Sequence, residues 1–148
     1  VGIIGHDRVL VSLAAPHFIN GCIKKTNKLT VNLVDEAMLP AADEAGAVSG
    51  AKADKSALFA YGMGENGAPV IEEAPLVMEC SVVDVYNTKG FESFICTIDA
   101  TYVEEKCLNG QGKIDYDVLK PVLFEFPTYS YLKTGEVLGK CLSFKKGN

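Results

Sequence analysis

The chain has 148 residues, 48% hydrophobic and 22% charged, the balance of one globular domain with a real hydrophobic core. Its formal net charge of −5 argues against non-specific nucleic-acid binding, which needs a basic footprint; the pairs Lys24-Lys25 and Lys145-Lys146 are too short to supply one and read as solvated surface. No apolar run approaches the ~20 residues that cross a bilayer, and the N-terminus lacks the basic region, apolar block and cleavage site of a secretory signal.

In chain order, residues 9–13 (VLVSL) read as a strand ended by Ala14-Ala15-Pro16. Pro16 disfavours helix at Ala15, so a helix is expected from Phe18 through Lys25, weakened by Gly21. Residues 28–34 (KLTVNLV) alternate Leu29, Val31 and Leu33 against Thr30 and Asn32, the period of a half-buried strand. Pro40 suits the first turn of a helix built from Ala41, Ala42, Ala45, Ala47 and Val48 and stopped by Ser49-Gly50. Asp54 is expected to cap a second short helix through Leu58, Phe59 and Ala60.

Residues 62–67 (GMGENG) read as a loop and Val70-Ile71 as a short extended piece. Residues 76–86 and 91–103 are two long strands joined by the turn Asn87-Thr88-Lys89-Gly90, an antiparallel hairpin. Apolar parity shifts within the first of them between Val82 and Val83, the mark of a bulge or of burial on both faces. A turn at residues 109–112 follows, then a helical turn at 116–119, an aromatic stretch at 124–131 broken by Pro127, a loop at 132–140 and a last short strand at 141–144. These elements predict a β-barrel with helical decorations.

The five cysteines (Cys22, Cys80, Cys96, Cys107 and Cys141) are odd in number and widely spaced, with no CxxC to signal a zinc or iron–sulfur site. They read as free thiols in a reducing cytoplasm. The GxGxxG match at Gly62, Gly64 and Gly67 is preceded by the end of an expected helix and followed by Ala68-Pro69, so it lacks the strand-turn-helix context of a dinucleotide site. The pairs Glu72-Glu73 and Glu104-Glu105 point to opposite faces of an extended chain and read as surface charge. Tyr129 and Tyr131 share a face and suit either core packing or a ring edge.

Residues 16–55 carry polar groups at both ends of an apolar strand, and both ends are expected to grip one anionic cofactor. His17 follows Pro16 at the start of a helix, where exposed amides favour anions; a turn histidine with no ligand is an equal reading. Ser49, Lys52 and Lys55 sit in a glycine- and alanine-rich loop, where hydroxyl and ammonium groups suit a phosphate and a solvated loop is the alternative.

The serial order of PHFIN (16–20), TVNLV (30–34), AGAVSGAKADK (45–55), PVIEEAPLVMEC (69–80), TYVEE (101–105), GKIDYDVLKPV (112–122) and YSYLKTGEVLGKC (129–141) resembles the flavin reductase-like, flavoredoxin-type proteins. The resemblance covers nearly the whole chain and implies a mainly β fold, an FMN-binding split β-barrel (a Greek-key-like antiparallel barrel) with short helices packed on it. It implies an oxidoreductase or electron-transfer protein that passes electrons from NAD(P)H or a redox protein through bound FMN, and a homodimer with its flavin sites near the interface. It points to Ser12, His17, Asn20, Ser49 and Lys55 as cofactor-binding residues, with Asn32 and its strand supporting the cleft. No side chain need act as nucleophile, base or metal ligand. The resemblance also leads one to expect two further strands before Val1. It places Ile19 where a threonine is common, at a cost of about 1 kcal/mol for the missing hydroxyl. The alternative readings are a non-catalytic split-barrel protein with weakened or lost flavin binding, and thiol redox chemistry, which would require an exposed cysteine of low pKa.

Overall fold

The computed structural model describes residues 1–144; the Lys145-Lys146 pair lies outside them. The chain opens with two strands, β1 (Gly2–Gly5) and β2 (Arg8–Ala14), paired across the turn at His6-Asp7. Helix α1 (Phe18–Thr26) follows, and Asn27 ends it in the left-handed conformation with its N–H on the Ile23 carbonyl, while Lys24 and Lys25 complement the dipole of the last turn. Next come β3 (Lys28–Asn32), helix α2 (Leu39–Ala47) with Pro40 in its first turn, and a small ribbon of β4 (Tyr61–Met63) and β5 (Pro69–Ile71). The long hairpin of β6 (Leu76–Thr88) and β7 (Phe91–Val103) turns at Gly90, whose φ of 87° suits a residue without a Cβ. A 3₁₀ turn at Glu105–Cys107 and a last ribbon, β8 (Val122–Glu125) and β9 (Ser130–Lys133), complete the described residues.

The main sheet is antiparallel, in the order β1-β2-β7-β6-β3. Its inner face carries Val9 and Val11, Leu29 and Val31, Cys80, Phe94 and Cys96, covered by Ile23 of α1. Register shifts in the β6–β7 ladder at Glu79/Cys80 and Val82/Asp84 account for the parity change read from the sequence; Val83 sits at the second bulge and is exposed. The two ribbons are tied to the sheet by specific bonds. Thr30 Oγ1 donates to the Pro69 carbonyl, Asn32 Oδ1 accepts from Ile71 N–H at 3.0 Å, and Val122 N–H donates to the Val34 carbonyl at 2.8 Å. No helix among the described residues is long and apolar enough to cross a membrane.

Four local expectations are corrected. β1 was not expected, because two glycines give it little intrinsic strand preference; its pairing with β2 makes the strand. The start of the 62–67 loop is the strand β4 for the same reason, its partner being β5. Asp54 caps no helix: its carboxylate accepts from Ser56 N–H at 2.9 Å in a local turn, and seven residues are too few to offset helix nucleation. Residues 141–144 form a turn, with Ser143 N–H on the Lys140 carbonyl, and no strand among the described residues pairs with them to make a ladder.

The glycine-rich loop wraps an anion of its own chain. Glu79 is 2% exposed, and its carboxylate accepts from Glu65 N–H at 3.1 Å and Asn66 N–H at 2.8 Å. A Cβ on Gly64 would stand 2.5 Å from Glu79 Oε1. Gly64→Ala is therefore expected to destabilise the fold by about 1–3 kcal/mol, read as a lowered urea midpoint. The thiols divide in the same physical way. Burial, with Cys96 alongside, pushes Cys80 up to about 12, and burial pushes Cys96 up to about 11, while Cys22 and Cys141 are exposed. Iodoacetamide at neutral pH should label Cys22 and Cys141, and reach Cys80, Cys96 and Cys107 only on unfolding.

Candidate functional site

β2 ends at Ala14, and the chain turns through Ala15 and Pro16 into α1. Ala15 N–H bonds to the Gly90 carbonyl at 2.9 Å and His17 N–H to the Ala14 carbonyl at 3.0 Å, so the turn is held to the β6–β7 hairpin. His17 occupies the N-cap position with extended backbone angles, and no side chain caps the first turn. The leading amides of α1 thus lack a side-chain acceptor, the arrangement that favours an anion. Phe18 and Ile19 beside them are half exposed.

The second half of the site follows α2. Lys55 Nζ donates to the Ala45 carbonyl at 2.5 Å and the Val48 carbonyl at 3.0 Å, placing a cation on the negative end of that helix. An ammonium has three donors, so one remains. Ser49 Oγ accepts from Ala51 N–H at 3.3 Å, which leaves its own hydroxyl hydrogen free to donate. The backbone of the Ser49 loop folds back on itself, with Lys52 and Ala53 N–H both on the Ser49 carbonyl. Residues 50–55 bound an open hollow of ≈ 470 Å³. The two halves meet where Gly50 lies against Phe18: a Cβ at Gly50 would be 3.0 Å from the Phe18 ring. His17 and Ser49, 32 positions apart, are each one residue from this contact.

The other expected residues sit elsewhere. Asn20 is on the buried face of α1, 2% exposed, with Nδ2 donating to Glu92 Oε2 at 2.7 Å and to the Ala14 carbonyl at 3.2 Å. Glu92 is bound on its other oxygen by Lys24 Nζ at 2.6 Å. The Lys24 ammonium and then the Asn20 amide hold the Glu92 carboxyl below its ordinary 4.5. Ser12 is on the face of β2 opposite Val11 and Leu13 and accepts a hydrogen bond from Ser93 Oγ at 3.0 Å. Asn32 is taken up in joining β3 to β5: besides its bond from Ile71, its Nδ2 donates to Thr30 Oγ1 at 2.9 Å. The structure thus brings Phe18, next to His17, against Gly50, next to Ser49, holds Lys55 on the end of α2, buries the Asn20 side chain against Ala14 and Glu92, and puts Ser12 and Asn32 on other surfaces of the sheet. Glu92 escaped the sequence reading; its one local signal is a carboxylate sharing strand parity with the core residues Phe94 and Cys96.

Residues 3–131 match the family described as flavin reductase like domain. The chain belongs to that family. Among solved structures, flavoredoxin from Methanosarcina acetivorans is 34% identical with a TM-score of 0.87, the alignment covering 93% of this chain and 74% of that one. Flavoredoxin of Desulfovibrio vulgaris (Miyazaki F) is 29% identical with a TM-score of 0.86, covering 94% and 76%. An FMN-binding protein from Thermus thermophilus, 19% identical over 90% of this chain and 73% of its own, with a TM-score of 0.77, shares the fold. No curated protein matches the chain. The flavin reductase like fold is mainly β and split-barrel in type, as the order of motifs led one to expect.

The Asn20–Glu92–Lys24 latch makes a pH prediction for this member of the flavin reductase like family. The folded-state pKa of Glu92 is depressed, so its contribution is present above the unfolded value near 4.5 and is lost as pH falls through the lower folded value. Glu92→Gln should lower Tm at pH 7, and the gap from the unaltered protein should close as pH is taken from 4.5 downward, by thermal melts across pH 7 to 3.

Proposed function

We propose that this chain binds FMN and serves as a flavin-dependent oxidoreductase or electron-transfer protein. The observation that carries the reading is the meeting of the uncapped start of α1 with the Ser49–Lys55 loop at the Phe18–Gly50 contact, in a chain of the flavin reductase like family. The donors present suit a phosphate: a free Ser49 hydroxyl hydrogen, the third Lys55 N–H and the first-turn amides beside His17. Ser49, Lys55 and His17 would hold that group, while Ile19 offers no hydroxyl to it. FMN when bound supplies the redox chemistry itself, accepting a hydride or single electrons. The protein's part is to bind and orient, so no side chain is assigned as acid, base or nucleophile. NAD(P)H or a redox protein is the proposed donor.

A homodimer belongs to the same proposal. Leu123, Phe124 and Leu132 of the last ribbon are each about half exposed, apolar surface that a partner subunit would cover. The five unbridged cysteines support a reducing, cytoplasmic setting. The competing reading is a non-catalytic split-barrel protein with weakened or lost flavin binding, favoured by apolar Ile19 at the helix start and by the use of Lys55 on α2.

Titrating the purified apoprotein with FMN separates the two. A functional site should quench flavin fluorescence with a micromolar or tighter Kd and raise Tm. Ser49→Ala should weaken FMN roughly tenfold while leaving riboflavin, which has no phosphate, unchanged. A colourless protein whose Tm does not respond to FMN overturns the flavin reading.

A further inference from the structure

We propose that Asn109-Gly110 is a site of covalent self-modification, where the Asn109 side chain loses ammonia through a succinimide and is left as a carboxylate. The chain carries the pair Asn-Gly three times, at residues 20–21, 66–67 and 109–110. Glycine after asparagine favours the reaction because it puts no side chain beside the attacking backbone nitrogen. The three pairs are alike in an unfolded chain, and only the fold separates them.

The glycine nitrogen must reach the asparagine Cγ and give up its proton to water. The side-chain oxygen must carry negative charge in the tetrahedral intermediate, and the side-chain nitrogen must be free to leave. Asn109 and Gly110 are both exposed, and nothing stands within 4 Å of where a Gly110 Cβ would be. Asn109 Oδ1 accepts from Gln111 N–H at 2.9 Å and Lys113 N–H at 3.1 Å. Two amides therefore already lie on the oxygen that gains charge, as the donors of an oxyanion hole do. Neither Asn109 Nδ2 nor Gly110 N–H donates a hydrogen bond among the described residues, so leaving group and attacker are both uncommitted.

The other two pairs are locked. Asn66 Nδ2 donates to the Leu29 carbonyl at 3.3 Å and the Cys80 carbonyl at 3.4 Å, and its attacker, Gly67 N–H, donates to the Gly64 carbonyl at 3.0 Å. Asn20 is 2% exposed within α1, with its amide hydrogens on Ala14 and Glu92.

In the reaction a bond forms from Gly110 N to Asn109 Cγ, the Gly110 proton passes to water, and the Cγ–Nδ2 bond breaks to release ammonia. Water then opens the ring at either carbonyl. One opening gives aspartate; the other gives isoaspartate, which adds a carbon to the backbone. The added carbon falls inside a bonded turn, where Asn109 N–H donates to the Lys113 carbonyl at 2.8 Å and Gly112 N–H to the Asn109 carbonyl at 2.9 Å. Leu108 and Ile114 bridge beyond that turn, and Ile114 packs on the buried cluster of Leu76, Cys107 and Leu119. Isoaspartate at this position thus loosens part of the core.

The test incubates the purified chain at mildly alkaline pH, folded and in urea, and follows the three pairs by peptide mapping and mass spectrometry. In urea all three should convert at similar rates. In the folded protein Asn109 should convert roughly tenfold or more faster than Asn66 and Asn20. Gly110→Ala has open space and no positive φ to resist it, so it should leave Tm unchanged and slow conversion at Asn109 alone. Asn109→Asp keeps an acceptor for both amides and should melt close to the unaltered protein, whereas aged protein carrying isoaspartate should melt lower. An Asn109 that stays intact in the folded chain while it converts in urea overturns the proposal. Equal conversion of Asn66 or Asn20 in the folded protein does the same, as does a rate at Asn109 that Gly110→Ala leaves unmoved.

Discussion

The β6–β7 hairpin is the constraint on which everything else hangs. It supplies the two central strands of the main sheet, and β2 and β3 can be placed only against its outer edges. Three of its side chains, Cys80, Phe94 and Cys96, have no exposed surface and anchor the main core cluster. Its two bulges turn the strand face partway along, so that Val82 and Val85 pack on the inner side while Val83 stays outside. Its Gly90 end also receives Ala15, which sets where β2 stops and α1 begins.

From that end the candidate site is assembled by short polar contacts rather than by a deep cavity. Glu92 on β7 reaches α1 through Asn20 and Lys24, and the Phe18 ring at the head of the helix meets Gly50. Lys55 closes α2 and brings its ammonium into the Ser49 loop. The result sets the Ser49 loop beside the start of α1 through the Phe18–Gly50 contact, in a chain whose net charge is −5.

The strands that carry strong periodicity were legible. Residues 28–34, 76–86 and 91–103 state their faces in the alternation of apolar residues, and the core agrees with them. Pro40 and the alanine run marked α2, and Pro16 marked the entry to α1. What failed was of one kind. β1 and β4 are short and glycine-containing, and each exists because a partner strand lies beside it. Asp54 carried a local capping signal that no packed helix followed up. A local signal predicts an element only when the neighbouring chain agrees with it.

The sequence by itself determined the family, through the serial order of its motifs, and the hairpin, through strand length, parity and the Asn-Thr-Lys-Gly turn. It also marked the two ends of residues 16–55 as polar and suited to an anion. Only the tertiary structure decided how those ends are used. It set Lys55 on the carbonyls of α2, committed Asn32 to the joint with β5, placed Ser12 on the face away from the core, and left Asn20 Oδ1 bare. The reason is that a polar side chain's role depends on which of its hydrogen-bonding groups are already taken. For Asn20 that is settled by Glu92, a partner 72 residues further along the chain that no local pattern names.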